Sequence, residues 1–254
     1  MDMRARAVAK AVLSRVIALH PFYLSRPQLW SPYLWEIDAR IAISQKHKFC
    51  YVRIPKSANT AVTSTLFFHE HGEAPTEQFQ GKRAFKRPSA FAGLTVSALD
   101  DLFCFSFVRN PYHRILSAYL SKLVAKAGKS PYRDIGAAIR RRFGGELTFG
   151  AFCAYLADGG VYGNPHWYPQ WKFIEAVGAE RMDFIGKVEN MAEGIAHVSR
   201  TLFGVADRAT YDNDAKTGAS SRLGEHYDER SRRIVAGLYR EDFERFGYDA
   251  SVLA

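Results

Sequence analysis

The sequence is poor in several things that would have fixed its class at once. Its 254 residues contain three cysteines, Cys50, Cys104 and Cys153. An odd number at wide spacing fits neither a disulfide framework nor a zinc site. Cys50 and Cys104 fall inside apolar runs, where a free thiol behaves as a small buried hydrophobe. The cysteines therefore read as structural, and the compartment as reducing and cytoplasmic. No apolar run approaches the ~20 residues that cross a bilayer. The N-terminal stretch "MDMRARAVAKAVLSRVIALHPFYL" is basic and partly apolar. Arg15 interrupts it and no small-residue cleavage site follows, so it does not read as a secretory signal. It reads as an amphipathic helix that either packs on the domain or rests peripherally on an anionic membrane. Internal repeats and low-complexity tracts are missing too.

Acidic charge is also scarce. Against 35 Lys and Arg stand 26 Asp and Glu, a net charge of +9. That balance points to an anionic partner: a nucleotide, a sulfated or phosphorylated substrate, nucleic acid or an anionic membrane face. No recognised nucleic-acid motif accompanies the charge, so nucleic acid is not expected. Hydrophobic content of 47% and charged content of 24% suit a soluble globular chain long enough to bury a substantial core.

Residues 1–40 read as a helical, aromatic-rich extension, and residues 41–254 as the main domain. Short apolar runs at Phe49–Ile54, Leu102–Val108 and Met182–Val188 read as strands. Helices are expected over 58–70, 111–126, 133–142, 148–157, 189–203 and 228–246. Strands separated by helices predict an α/β fold, a central parallel sheet flanked by helices. Residues 71–90 read as a long loop, as does the segment "TYDNDAKTGASSRLGEHYD" before the last helix.

Two strand-to-helix turns carry the chemistry. In "KFCYVRIPKSANTAV", Pro55 and Lys56 leave the first strand, Ser57 to Thr60 turn, and Ala61 onward is helical. Backbone N–H groups and the dipole at a helix start favour an anion. Lys56 adds a point charge, and Ser57, Asn59 and Thr60 can donate side-chain hydrogen bonds. The glycines of a Walker A loop are missing. Taken alone, the turn reads equally as a helix cap beside a solvated lysine. In "FCFSFVRNPYHRILSAYLSKL", Arg109 closes the second strand and Asn110-Pro111 start a helix. Ser117 sits eight residues after Arg109.

Together these motifs resemble the sulfotransferases that use 3′-phosphoadenosine 5′-phosphosulfate, in particular the carbohydrate-sulfotransferase branch known as sulfotransferase family 2. "RIPKSANTA" is similar to the family's 5′-phosphosulfate loop, and "FVRNPYHRILSAY" to its 3′-phosphate-binding strand and helix. "NPHWYPQ", "MDFIGKVENM" and the ending "LYREDFERFGYD" also look family-like. The resemblance runs in order from about residue 48 to 249.

It implies a P-loop NTPase-like three-layer fold and a phosphosulfate loop without a bridging metal. It implies that Arg53, Pro55, Lys56, Ser57, Ala58, Asn59, Thr60 and Ala61 form the 5′ side of the donor site. Lys56 would contact the oxygen that bridges phosphate and sulfate. Arg109 and Ser117 would hold the 3′-phosphate that separates this donor from ATP. Lys216, Ser220, Ser221 and Arg222 in "KTGASSR" are further candidates for the 3′-phosphate or adenosine, and read equally as a solvated loop.

The expected reaction moves a sulfuryl group to a hydroxyl of a carbohydrate, glycolipid or related acceptor. It needs an in-line acceptor, a base, and cations on the leaving phosphate. Many bacterial relatives carry a histidine about twenty residues before the "FVRNP" arginine. Here that region, "KRPSAFAGLTVSALDD", has none. The remaining bases are His166 in "NPHWYPQ", and His69, Glu70 and His71 at the end of the first helix. Trp167, Tyr168 and Trp171 could stack on a sugar or belong to a core. Gln170 could bond a hydroxylated acceptor, and Arg140-Arg141-Arg142 reads as a solvated face. The competing reading is a catalytically silent nucleotide-binding or regulatory protein of the same fold. A P-loop kinase is disfavoured, because neither GxxxxGK[ST] nor an acid placed for magnesium is present.

Overall fold

Four short strands form one sheet in the order β1-β2-β3-β4: Ile41–Ser44 (β1), Phe49–Val52 (β2), Phe103–Val108 (β3) and Phe184–Lys187 (β4). The structure, a computed structural model, describes residues 3–26, 31, 33–77, 79–205 and 218–253. The chain divides into two compact units. One takes in Asp2–Val108 and Lys172–Asp214, the other Arg109–Trp171 and Ala215–Ala254.

The first unit holds the whole sheet. β2, β3 and β4 run parallel, in the register Val52↔Ser106 and Val108↔Lys187. The strands expected at 49–54, 102–108 and 182–188 are therefore present with slightly tighter bounds. β1 was not foreseen and pairs antiparallel with β2. Only residues 45–48 join the two, and a connection that short closes an antiparallel hairpin but not a parallel crossover.

Phe49, Tyr51, Phe105 and Phe107 line one face of the sheet. They pack against Val62 and Leu66 of the Asn59–His71 helix and Ile195 and Val198 of the Met191–Phe203 helix. A Cβ built on Gly186 or Gly194 would come within 2.6 Å or 2.5 Å of the Phe107 ring, so both positions have to be glycine for this layer to close.

Segment 71–90 is not the plain loop its polarity suggests. It contains a helical turn, Gln80–Arg83, packed across the Asn59–His71 helix. The contact depends on Gly81, where a Cβ would lie 2.7 Å from the Thr63 carbonyl oxygen. Asp38, fully buried, ties the N-terminal region to this segment. Its carboxylate accepts from the Tyr23 hydroxyl at 3.0 Å and from the backbone and side chain of Ser89 at 3.1 Å and 2.6 Å.

The second unit is helical. Tyr112, Ile115 and Leu116 of the Pro111–Ala118 helix build its core with Phe149, Phe152, Trp167, Val235, Tyr239 and Phe243. The helix expected over 111–126 continues through a π-helical turn, Tyr119–Val124. The one expected over 228–246 breaks at Tyr239 into Glu229–Leu238 and Arg240–Arg245. The break lets the Tyr239 hydroxyl donate to the Trp167 carbonyl.

Gly81→Ala should cost about 1–3 kcal/mol, the usual penalty of overpacking. Denaturant unfolding measures it; a variant within 0.5 kcal/mol of the parent, on the order of a neutral surface change, would show that the Gln80–Arg83 turn yields without strain.

Candidate functional site: two strand-end turns

β2 and β3 are parallel neighbours, so the chain leaves both at the same edge of the sheet. In open α/β sheets that edge, beyond the carboxyl ends of the strands, is where ligands bind.

The turn after β2 answers the question of its missing glycines. Lys56 and Ala58 adopt left-handed backbone conformations, φ 71° and 52°, with Ser57 between them. Left-handed residues in such a turn are the backbone feature of anion-binding nests; here the Ser57 N–H donates to the Ile54 carbonyl at 3.2 Å. A Walker loop reaches such a backbone with glycine, whereas a residue bearing a Cβ pays about 1–2 kcal/mol at each position. Strain of this kind persists only where the surrounding structure over-determines the backbone. The Asn59–His71 helix follows, with no acid in its first turn to offset the positive end of its dipole. Its first residue is fixed by the Tyr51 hydroxyl, which donates to Asn59 Oδ1 at 2.9 Å.

A second cation stands at the same helix start. Lys82 Nζ donates to Thr60 Oγ1 at 3.1 Å, placed there by the close approach at Gly81. Sequence reasoning passed over Lys82 because the polarity of segment 71–90, including "FQGKRAF", reads as loop; the cluster of Lys82, Arg83, Lys86 and Arg87 was the available signal. The Arg53 guanidinium is bonded to backbone carbonyls. It donates to the carbonyls of Lys82, at 3.0 Å, and Ala39, and burial lowers its pKa to about 10. Pro55 and Ser57 are buried, while Lys56, Thr60 and Ala61 are half-buried.

In the second turn, Asn110 caps the Pro111–Ala118 helix by accepting from Tyr112 N at 2.9 Å, with Pro111 at the first helical position. Gln170 grips the peptide groups of Arg109 from both sides. Arg109 N–H donates to Gln170 Oε1 at 2.9 Å, and Gln170 Nε2 donates to the Arg109 carbonyl at 2.8 Å. Asp242 in turn accepts from the backbone of Gln170 at 2.8 Å and of Trp171 at 2.9 Å. Arg114, on the same helix as Ser117, supplies the charge that Asp242 faces. Arg114, Gln170 and Asp242 are all fully buried. Burial pushes the Asp242 carboxyl up to about 6 against the pull of Arg114, and pushes Arg114 below its usual range. Ser117 is buried one helical turn beyond Arg114.

Gln170 is thus a support for Arg109, and its amide is not the acceptor contact expected of it. The stacking platform is not there either: Trp167 and Tyr168 are buried, and Trp167 Nε1 donates to the Gly160 carbonyl at 2.9 Å. Trp171 stays half-buried beneath the Arg245 guanidinium.

Of the candidate bases, His69, Glu70 and His71 close the Asn59–His71 helix at its far end. Ten or more residues at 1.5 Å each put them about 16 Å from its first turn. Glu70 also accepts from Ser44 Oγ at 3.0 Å, and His69 stacks on Phe203. His166 is half-buried, with Nδ1 2.6 Å from Asn164 Oδ1. The backbone N–H of His166 donates to the same oxygen, which fixes it as an acceptor. Nδ1 therefore carries the proton in the neutral ring, and Nε2 the basic lone pair. Arg222 pairs with Glu225 at 2.8 Å, and Ser221 Oγ donates to the Gly218 carbonyl at 3.0 Å. Lys216 and the side chain of Ser220 lie outside the described residues. Arg140 to Arg142 are exposed, as a solvated face should be.

The sheet thus carries a turn with two left-handed residues and a helix start after one parallel strand, and an arginine followed by a capped helix after the next. The chain belongs to the sulfotransferase family, whose model matches residues 39–249. It is 26% identical over 242 residues to carbohydrate sulfotransferase 10 of Xenopus laevis, covering 82% of this chain and 67% of that protein. It is 22% identical over 236 residues to carbohydrate sulfotransferase 11 of Rattus norvegicus, covering 82% and 66%. Over 112 residues, 39% of this chain and 30% of the relative, identity to carbohydrate sulfotransferase 14 of Danio rerio is 32%. The chain thus spans about two thirds of the length of the first two. No solved structure matches.

Gln170→Leu leaves the Arg109 N–H and carbonyl buried without their amide partner and should cost about 2–4 kcal/mol. Asp242→Ala strands the Arg114 charge and should cost about 3–5 kcal/mol. Urea unfolding checks both; changes on the order of 0.5 kcal/mol or less, typical of an ordinary surface site, would mean that the chain of contacts carries no load.

Proposed function

We propose that the chain is a sulfotransferase that moves the sulfuryl group of 3′-phosphoadenosine 5′-phosphosulfate to a hydroxyl of a carbohydrate or carbohydrate-bearing lipid. The observation that carries this reading is the nest at Lys56–Ala58. Its strained backbone, its flanking helix start and two lysines suit the divalent end of a phosphosulfate. The names of the relatives support the carbohydrate acceptor. Arg109 and Ser117 would take the 3′-phosphate, Arg109 with the bidentate fork that a phosphate accepts.

In the reaction, the acceptor oxygen forms a bond to sulfur as the bond from sulfur to the bridging phosphate oxygen breaks. Negative charge then collects on that oxygen, where Lys56 meets it, with Lys82 adding a second positive charge at the same helix start. His166 Nε2 would receive the acceptor's proton, its ring held in the right tautomer by Asn164.

Transfer of labelled sulfate from this donor to a panel of oligosaccharides and glycolipids tests the reading. The parent should label a hydroxylated acceptor, and Lys56→Ala should lower kcat by about 10²-fold or more. His166→Ala should lower kcat by about 10²-fold with little change in donor binding. Labelling that survives unchanged in Lys56→Ala would sink the assignment, and an unchanged His166→Ala would remove that histidine from the reaction.

A further inference from the structure

The Met3–Ala18 helix is held to its own unit by one face. Ser14, Ile17 and Ala18 are buried, Ser14 Oγ accepts from Trp35 N at 3.0 Å, and Lys10 pairs with Glu36. The opposite face has no such covering. Among the described residues, six of the eleven exposed large apolar side chains fall between Val8 and Leu24. Four of them recur at spacings of four, four and three: Val8, Val12, Val16 and Leu19, with 63%, 52%, 61% and 67% of their surface exposed. At 3.6 residues per turn Val8, Val12 and Val16 share one narrow stripe, and Leu19 follows in the turn that closes the helix, its N–H donating to the Val16 carbonyl. Scattered exposed valines need no explanation, but a line of them does.

The charge around the stripe indicates what covers it. The helix sequence "MRARAVAKAVLSRVIA" has four basic residues and no acid. Arg15, adjacent to the stripe, is exposed, and no ion pair of its side chain occurs among the described residues. A second copy of the chain is a poor occupant: it would bring like charges together. Four aliphatic side chains also offer roughly 400 Å², about half of the ~800 Å² per partner that a stable dimer buries. An anionic lipid surface satisfies both features at once, because apolar side chains can enter the acyl boundary while arginines stay at the headgroups. The helix does not span the bilayer: none in the described residues is long and apolar enough to do so.

We infer that the Met3–Ala18 helix is an interfacial anchor, which lies flat on an anionic lipid surface with Val8, Val12, Val16 and Leu19 inserted and Arg15 at the headgroups. Packing on the domain and resting on a membrane are then not alternatives, since each uses a different face.

Sedimentation of the full chain with vesicles tests this, comparing phosphatidylcholine alone with phosphatidylcholine containing phosphatidylglycerol. The parent should pellet with the anionic vesicles and not with the neutral ones. Val12→Asp/Val16→Asp, at two exposed positions, should abolish pelleting while leaving the thermal melt unchanged. Arg15→Glu should weaken it about tenfold. Pelleting that is equal on both vesicles, or that survives the double aspartate variant, overturns the inference. So does a concentration-dependent dimer of the parent that the double variant dissolves, which would give the stripe to a second copy. Were the double variant to misfold, an Arg15→Glu chain with parental lipid affinity would overturn the inference by itself.

Discussion

The candidate site depends on how the Arg109 peptide is held. A strand end followed by a helix start leaves backbone N–H and C=O groups without ladder partners, and burying them unpaired is costly. Gln170 supplies one acceptor and one donor to this peptide, so the direction in which Arg109 departs from the strand is fixed by two bonds rather than by side-chain packing. Asp242 holds Gln170 by its backbone, and Arg114 is the charge that lets a carboxylate remain in that interior. The chain of support runs from Asp242 in the last helix, Arg240–Arg245, through Gln170 to the Arg109 peptide.

The turn at Lys56 is organised on a different principle. It stores backbone strain. Two residues bearing Cβ atoms sit where glycine is the unstrained choice. A concavity of N–H groups costs free energy in the absence of an anion, and an anion repays that cost on binding. Thr60, Asn59 and Lys82 then decorate a helix start whose backbone already favours negative charge.

How much of this could be read from the sequence divides along local and non-local lines. The parallel strands, the helices behind them and both turns rest on local patterns: apolar runs, a lysine or arginine at the strand end, a proline at the helix start. Those were legible, and so was the family to which they point. β1 was not, because three apolar residues and a serine before a polar loop have no period to recognise. The Gln170–Arg109 clamp joins positions 61 residues apart and looks, in sequence, like a polar residue beside three aromatics. The same aromatics were ambiguous for the same reason: Trp167 lies in the core because of what Phe152 and Tyr239 do, and nothing near it in the chain says so. Lys82 was missed because only the absence of a side chain at Gly81 lets its segment approach Thr63. An arginine in mid-helix, such as Arg114, was another overlooked local signal beside the basic cluster at Lys82–Arg87, since a buried guanidinium demands a carboxylate elsewhere in the chain.

The central proposal is that Arg109 recognises the phosphate on the 3′ side of the donor nucleotide. Calorimetric titration of the parent and of Arg109→Ala with adenosine 3′,5′-bisphosphate and with adenosine 5′-monophosphate tests it most directly. The parent should bind the bisphosphate at least about tenfold more tightly, on the order of one charge-assisted contact. Arg109→Ala should bring the two nucleotides to near equality. Equal affinity of the parent for both, or a preference that persists without Arg109, would contradict the account.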